Sequence, residues 1–187
     1  MDMDRIEEAF EVVDRAKFMP KDVRHLAGYD QAVPIGYGQT ISQPYTVGLM
    51  LQWLDPQPGN KVLDIGSGSG WTAALLSHLV GPKGKIYAAE RIPELVEFGR
   101  ENCERFGVKN AQFSTAGDEL GLPEEAPFDR ILVSASADEF PEGLMEQLKI
   151  SGKLVIPIQS DILEITKTSK NSRDVRKHPG FVFVPLL

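Results

Sequence analysis

The sequence predicts an α/β fold: a central, mostly parallel β-sheet with helices on its faces, ending in an antiparallel pair of strands. Three observations predict it. Between residues 61 and 135 short β-rich runs alternate with helical stretches, the pattern of a parallel sheet whose crossovers are helices. The first of these runs, "KVLDI", passes directly into Gly66, Gly68 and Gly70 and then into a helical stretch, a strand-to-helix turn that lets the backbone approach a ligand closely. Beyond residue 158, "DILEITKT" (161–168) and "FVFVPLL" (181–187) follow one another with no helical stretch between them, which predicts antiparallel pairing.

Each element has its own warrant. Ile6, Ala9, Phe10, Val13 and Ala16 recur at helical spacing with Asp4 as a candidate cap, so the chain opens on a short amphipathic helix. "FMPKDVRHLAGYDQAVPIGYGQ" holds two prolines and several glycines without a sustained period, and reads as irregular with one helical turn near Val23 to Leu26. Ser42 is a candidate N-cap for a helix through Leu54, with Pro44 in its first turn, where a missing N–H costs little. Strands are predicted at 61–65, 85–90, 111–116, 129–135 and 152–158, and helices around 71–80, 93–106 and 141–149. The polar, charged "SKNSRDVRKHP" between the last two β-rich runs reads as a long flexible loop.

Composition bounds the function. A chain of 187 residues, 42% hydrophobic and 25% charged, has the size and balance of one domain with a substantial core. Its formal net charge of −7 disfavours a nucleic acid as obligate partner, because such binders carry a clustered basic footprint. Cys103 is the only cysteine, which excludes an internal disulfide and a multi-cysteine zinc site and fits a reducing cytoplasm. The first twenty residues are strewn with charge, and no run of eighteen apolar residues occurs, so a soluble, cytoplasmic protein is expected, with no membrane partner. His25, His78 and His178 are widely separated, and no metal site is expected.

The glycine spacing selects among ligands. A dinucleotide fingerprint G-x-G-x-x-G would require glycine at 71, where the chain has Trp71. G-x-G-x-G is the form common in methyltransferases that bind S-adenosylmethionine; a glycine-rich turn without a ligand is the alternative. Glu90 ends the second regular strand, where a carboxylate accepts both ribose hydroxyls of an adenosine or is simply solvated. Asp118, after the third, is at the same sheet edge, suited to an adenine amino group or to an ordinary turn. Ligands bind open α/β sheets outside the carboxyl ends of the strands, so three such features at successive strand ends argue for one nucleoside-shaped site.

"VPIGYGQTIS", "VLDIGSGSGW", "AERIPEL", "GLPEEAPFDRILVSASADEFPEGLMEQLKISGKLVIPI" and the terminal "FVPL" occur in one order over nearly the whole chain. Together they resemble the protein-L-isoaspartate O-methyltransferase family. The resemblance implies a Rossmann-like seven-stranded methyltransferase fold as one domain over 1–187, with 1–55 as lid and acceptor segment and 61–187 as donor-binding core. It implies S-adenosyl-L-methionine as donor, S-adenosyl-L-homocysteine as product, and L-isoaspartyl residues of damaged proteins or peptides as acceptor, with the methyl ester closing to a succinimide that reopens partly as aspartate. Donor contacts fall on Thr40 and Ile41, on Asp64, Gly66, Ser67, Gly68 and Gly70, and on Glu90, Arg91, Gly117 and Asp118. Ser42 is the implied catalytic hydroxyl, and Tyr37, Gln39 and Tyr45 are the implied peptide contacts. A monomer is expected.

The chain departs from the family's common pattern in places. Gln43-Pro44-Tyr45 follows the serine where Ala-Pro-His is common, and Glu119 follows Asp118 where glycine is common. Asp64 replaces a more frequent glutamate. Donor binding is little affected by these changes; acceptor identity is more open. Two alternatives therefore stand: a methyltransferase acting on another peptide or small-molecule carboxylate, and a non-catalytic protein that binds the donor. A nucleic-acid methyltransferase is disfavoured by charge and by "VSASA" standing where many amino-methylating relatives carry N/D-P-P-Y/F.

Overall fold

The computed structural model describes residues 3–186. In chain order it contains α1 (Met3–Val12), 3₁₀ turns at Arg15–Phe18 and Lys21–Leu26, the hairpin β1 (Val33–Gly36) and β2 (Gln39–Ile41), α2 (Pro44–Leu54), β3 (Lys61–Ile65), α3 (Trp71–Val80), β4 (Lys85–Glu90) and α4 (Pro93–Phe106). β5 (Ala111–Thr115), β6 (Phe128–Val133), α5 (Gly143–Gln147), β7 (Leu148–Ile158), β8 (Asp161–Ser169) and β9 (Ser172–Pro179) complete it.

Seven strands form one sheet in the order β5-β4-β3-β6-β7-β8-β9. The first five pair in parallel, while β8 runs antiparallel to both β7 and β9. The chain winds outward from β3 to β5 and then returns to place β6 on the other side of β3, so the order reverses between β3 and β6. A crevice opens at the carboxyl ends of strands at such a reversal.

Alternation along the strands divides the core. Val62, Ile86, Ala88, Leu132 and Val155 pack with α1, α2, α3 and α4. Leu63, Ile65, Tyr87, Ile131, Val133 and Leu154 face the other way, under Leu122, Leu144 and Leu148. This period of two buries both faces of the parallel strands, which is why they read as near-continuous apolar runs. Trp71 ties the amino-terminal segment down: its indole N–H donates to the Val13 carbonyl at 3.3 Å, and Phe10 meets its ring edge-on at 5.5 Å.

Several expectations are corrected. The "SKNSRDVRKHP" stretch is not a loop: residues 172–179 form β9, whose side chains are nearly all exposed and which reads as polar because neither of its faces is buried. "FVFVP" is not the second strand of the pair. It folds back to the end of β6, with the Ser136 N–H donating to Val184 O and the Leu186 N–H donating to Ser136 O, both at 2.8 Å; Leu187 lies outside the described residues. The irregular segment before Ser42 contains the β1–β2 hairpin, with Gly36, Tyr37 and Gly38 all at positive φ in its turn. Asp4 lies within the first turn of α1 rather than before it. The helix expected at 141–149 is only the short α5, because β7 begins at Leu148.

Candidate active site

The crevice is built on the loop from Gly66 to Gly70. The Gly66 N–H donates to Ala89 O at 2.8 Å, continuing the pairing of β3 and β4 past their ends. Gly66, Gly68 and Gly70 all adopt positive φ, a region that other residues enter at a cost. α4 braces the turn from below. A Cβ on Gly70 would sit 2.7 Å from Gly99 O, and one on Gly99 would sit 2.8 Å from Gly68 O, so both contacts require glycine. The Asn102 amide donates to Ser69 O at 2.9 Å and the Cys103 thiol to Gly70 O at 3.3 Å. Burial pushes that thiol up to about 12, so Cys103 is a neutral packing and hydrogen-bonding group.

Glu90 links the loop to β4. Its two oxygens accept the N–H groups of Gly68 and Ile92, each at 3.0 Å, and the side chain is buried in the wall of the crevice. Each oxygen keeps a further lone pair. Asp64 is completely buried one layer below, where it accepts the Thr72 hydroxyl at 2.8 Å through one oxygen while the other has no partner. Burial pushes its carboxyl up to about 7, the Thr72 bond lowers it, and the Glu90 charge raises it. The Ser67 hydroxyl, also buried, has no partner either.

A second layer covers the crevice. Arg15, 6% exposed, donates from its guanidinium to five carbonyls: Gln31 at 2.7 Å, Ser42 at 3.0 Å, Ala27 and Tyr29 at 3.2 Å and Ile41 at 3.4 Å. One buried side chain thus gathers residues 27 to 42 into a single cover, and Trp71 lies against it 5.4 Å away. Burial lowers the Arg15 pKa and Asp30 partly offsets this.

Ser42 is not the cap of α2. The N-cap is Gln43, and Asp30 supplies the capping oxygen, accepting the Tyr45 N–H at 2.8 Å. The Ser42 hydroxyl makes no hydrogen bond among the described residues.

The sequence-predicted residues divide into two groups. Gln39, Thr40, Ile41, Ser42, Gly66, Ser67, Gly68, Glu90 and Arg91 line one cavity. Asp64 and Gly70 support its floor from behind. Gly117 and Asp118 are exposed, with their neighbours Ala116 and Leu120 in the lining instead. Tyr37 and Tyr45 are 60% and 63% exposed and lie outside the lining. Ser134, Ala135 and the returning Val184, Pro185 and Leu186 also line it. Sequence reasoning gave them no role; "VSASA" at the end of a parallel strand was the available signal. A shallower groove adjoins the cavity, lined by Ala32, Thr40, Ser42, Gln43, Thr46, Ser134, Val182, Phe183 and Val184. Thr40, Ser42, Ser134 and Val184 border both.

The whole chain, residues 1–187, matches the family model described as Protein-L-isoaspartate(D-aspartate) O-methyltransferase (PCMT). A protein-L-isoaspartate O-methyltransferase of Methanopyrus kandleri is 45% identical, covering 98% of this chain and 83% of that one. One of Aeropyrum pernix is 47% identical, with coverage of 98% and 72%. Among solved structures, a Plasmodium falciparum protein described as a beta-aspartate methyltransferase (PCMT), in complex with S-adenosyl-L-homocysteine, matches with a TM-score of 0.87 at 29% identity, covering 100% of this chain and 92% of that one. With the family model matched end to end and identity above two residues in five held along nearly its full length, this chain belongs to the protein-L-isoaspartate O-methyltransferase family.

Proposed function

We propose that the protein esterifies the carboxylate of L-isoaspartyl residues in proteins and peptides with the methyl group of S-adenosylmethionine, the cavity holding the donor and the adjoining groove the acceptor. The observation that carries this reading is the junction of the two hollows at Thr40, Ser42 and Ser134. Three hydroxyl-bearing residues stand where a donor and an acceptor would meet.

The cavity suits a nucleoside with an amino-acid tail. The spare lone pairs of Glu90 match two ribose hydroxyls, the partnerless Ser67 hydroxyl is available to a polar group, and the unpaired N–H groups at the start of α3 favour a carboxylate. Arg91 borders the same space, Gly70 and Asp64 support the loop from behind, and Gly117 and Asp118 stand at its rim on the adenine side. When bound, S-adenosylmethionine supplies a methyl group activated by a sulfonium.

The acceptor carboxylate has an ordinary pKa of about 4 and is already an anion near neutral pH, so no general base is required. What the chain must do is orient it and exclude water. Ser42 donates its free hydroxyl to one carboxylate oxygen and so sets the direction of attack. No charged side chain lines the groove, so the carboxylate meets hydroxyls, which orient it without the ground-state stabilisation that a cation would add. Ile41, buried in the cover, keeps the junction apolar on one side. Positioning of this kind is worth up to about 7–11 kcal/mol of barrier in favourable cases. Gln39 faces the donor side, and Tyr37 and Tyr45 lie outside both hollows, open to more distant parts of a polypeptide substrate. The same reading has the protein working as a cytoplasmic monomer without a nucleic-acid partner, in keeping with its net charge of −7 and single cysteine.

The test pairs two peptides that differ only in L-isoaspartate against L-aspartate, scored for base-labile methyl ester while donor binding is followed by calorimetry. Ester is expected on the isoaspartyl peptide alone. Ser42→Ala should lower kcat about tenfold or more while leaving S-adenosylhomocysteine affinity within about twofold, since a single hydrogen bond made at the reacting group is removed. Donor binding with no ester on either peptide would favour another acceptor.

A further inference from the structure

Gln43 enters no part of the reading above, yet it lines the groove with both ends of its side-chain amide fixed. Nε2 donates to Asp30 Oδ2 at 2.9 Å, and Oε1 accepts the Thr46 hydroxyl at 3.3 Å. The assignment of oxygen and nitrogen is forced, because an ionised carboxylate only accepts. Asp30 is itself anchored: its other oxygen takes the Tyr45 N–H at 2.8 Å, and that bond, followed by the one from Gln43, holds its carboxyl below the ordinary range. The Gln43 amide is therefore a rigid plate on a capped helix end, with its rotamer freedom already lost before any ligand arrives.

The plate has unused capacity. A primary amide carries two N–H bonds and two lone pairs on oxygen, and one of each is occupied. One N–H and one lone pair remain, side by side. That pattern is complementary to a peptide group, which presents one C=O and one N–H. The groove's apolar lining residues, Ala32, Val182 and Phe183, carry no hydrogen-bonding side-chain group that competes for the same partner.

We infer that Gln43 is a specificity-determining residue that binds the main chain of the acceptor, its fixed amide hydrogen-bonding one of the two peptide groups flanking the isoaspartyl residue. This rests on the groove being the acceptor site. It makes the preferred acceptor a polypeptide with an unsubstituted amide at that flank, rather than a free small carboxylate.

The experiment is a substrate–protein double-mutant cycle. Three peptides are compared: an L-isoaspartyl parent, and two versions N-methylated at the amide preceding or following the isoaspartyl residue. Each is assayed with the wild-type chain, with Gln43→Ala and with Gln43→Met, which keeps the length of the side chain and removes its amide. Calorimetric affinity for S-adenosylhomocysteine serves as the check that the donor site is intact. With the wild type, one of the two N-methyl peptides should fall about two- to tenfold in kcat/KM, the range of a single neutral hydrogen bond. Both variants should show a similar loss on the parent peptide and no further loss on that N-methyl peptide. A penalty that persists unchanged in Gln43→Ala and Gln43→Met would be steric and would overturn the inference, as would a wild type indifferent to both N-methylations. Failure of the repair reading looks different, since the parent peptide itself would then gain no ester, and the inference would fall with it.

Discussion

Asp64 has no solvent exposure and one oxygen without a partner, and burial pushes its carboxyl up to about 7. Unfolded, the same group titrates near 4. Between about pH 4 and pH 7 the folded chain therefore holds a proton that the unfolded chain has released, so the Asp64 contribution to stability falls as pH rises through that window and is level above it. The slope amounts to about 1.4 kcal/mol per pH unit at most. Asp64→Asn keeps an acceptor for Thr72 and removes the titration. Urea unfolding at pH 5 and pH 8 should show the variant gaining on the wild type as pH rises; identical pH slopes would place the proton elsewhere. The sequence marked position 64 as acidic and adjacent to the glycine loop, but burial depends on β4, β6 and α3 closing around it, which no local pattern reports. Ser42 illustrates the converse. Its sequence position suits a cap, yet the cap comes from Asp30, fifteen residues before the N–H it accepts, and a side chain that distant is invisible to spacing rules.

At the scale of elements, the regular core was legible almost residue for residue. The predicted bounds of β3, β4, α3 and α4 coincide with those observed, because parallel strands buried on both faces and amphipathic crossovers carry strong periodic signals. Weak signals failed where burial is one-sided or absent, at the three-residue β2 and at the solvent-facing β9. The packing of α4 on the glycine loop was equally hidden, and it leads to a test. Alanine favours helix over glycine by about 1 kcal/mol, but at Gly99 its Cβ would lie 2.8 Å from Gly68 O and 3.0 Å from the Phe113 ring. Backbone and a packed ring yield poorly, so Gly99→Ala should destabilise by about 1–3 kcal/mol. It should also weaken S-adenosylhomocysteine binding, because displacement of Gly68 breaks its N–H bond to Glu90; calorimetry reads the second effect and thermal melting the first. The cover obeys a similar logic through Arg15. Lysine retains the charge but its single ammonium cannot span five carbonyls. Arg15→Lys should therefore lower stability by about 2–4 kcal/mol and raise KM for the peptide several-fold, with donor affinity held within about twofold. An unchanged peptide KM in the folded variant would confine Arg15 to a purely structural role.

On the scale of the whole molecule, the chain reaches its site from both ends. Residues 27–42 cover the crevice from the amino-terminal side under Arg15, β3 to β6 supply its floor, and residues 181–186 return from β9 to close the remaining wall through Val184, Pro185 and Leu186. The β8–β9 hairpin thus serves a purpose beyond extending the sheet, since it carries the chain out and brings it back to the carboxyl end of β6. Phe181 meets Trp53 edge-on at 6.0 Å, and Trp53 in turn stacks on His178 at 3.8 Å, so the return is anchored where it leaves the hairpin. These anchors and the site wall are separable. A chain ending at Gly180 keeps all seven strands of the sheet and every helix, and loses the Phe181 and Phe183 packing together with the wall. It should retain its far-ultraviolet circular dichroism and a cooperative transition at lower Tm, while its affinity for S-adenosylhomocysteine falls about tenfold or more as three lining residues and their exclusion of water are removed. Donor affinity equal to that of the full chain would mean that the return only packs the sheet edge, and that the cavity needs no wall on that side.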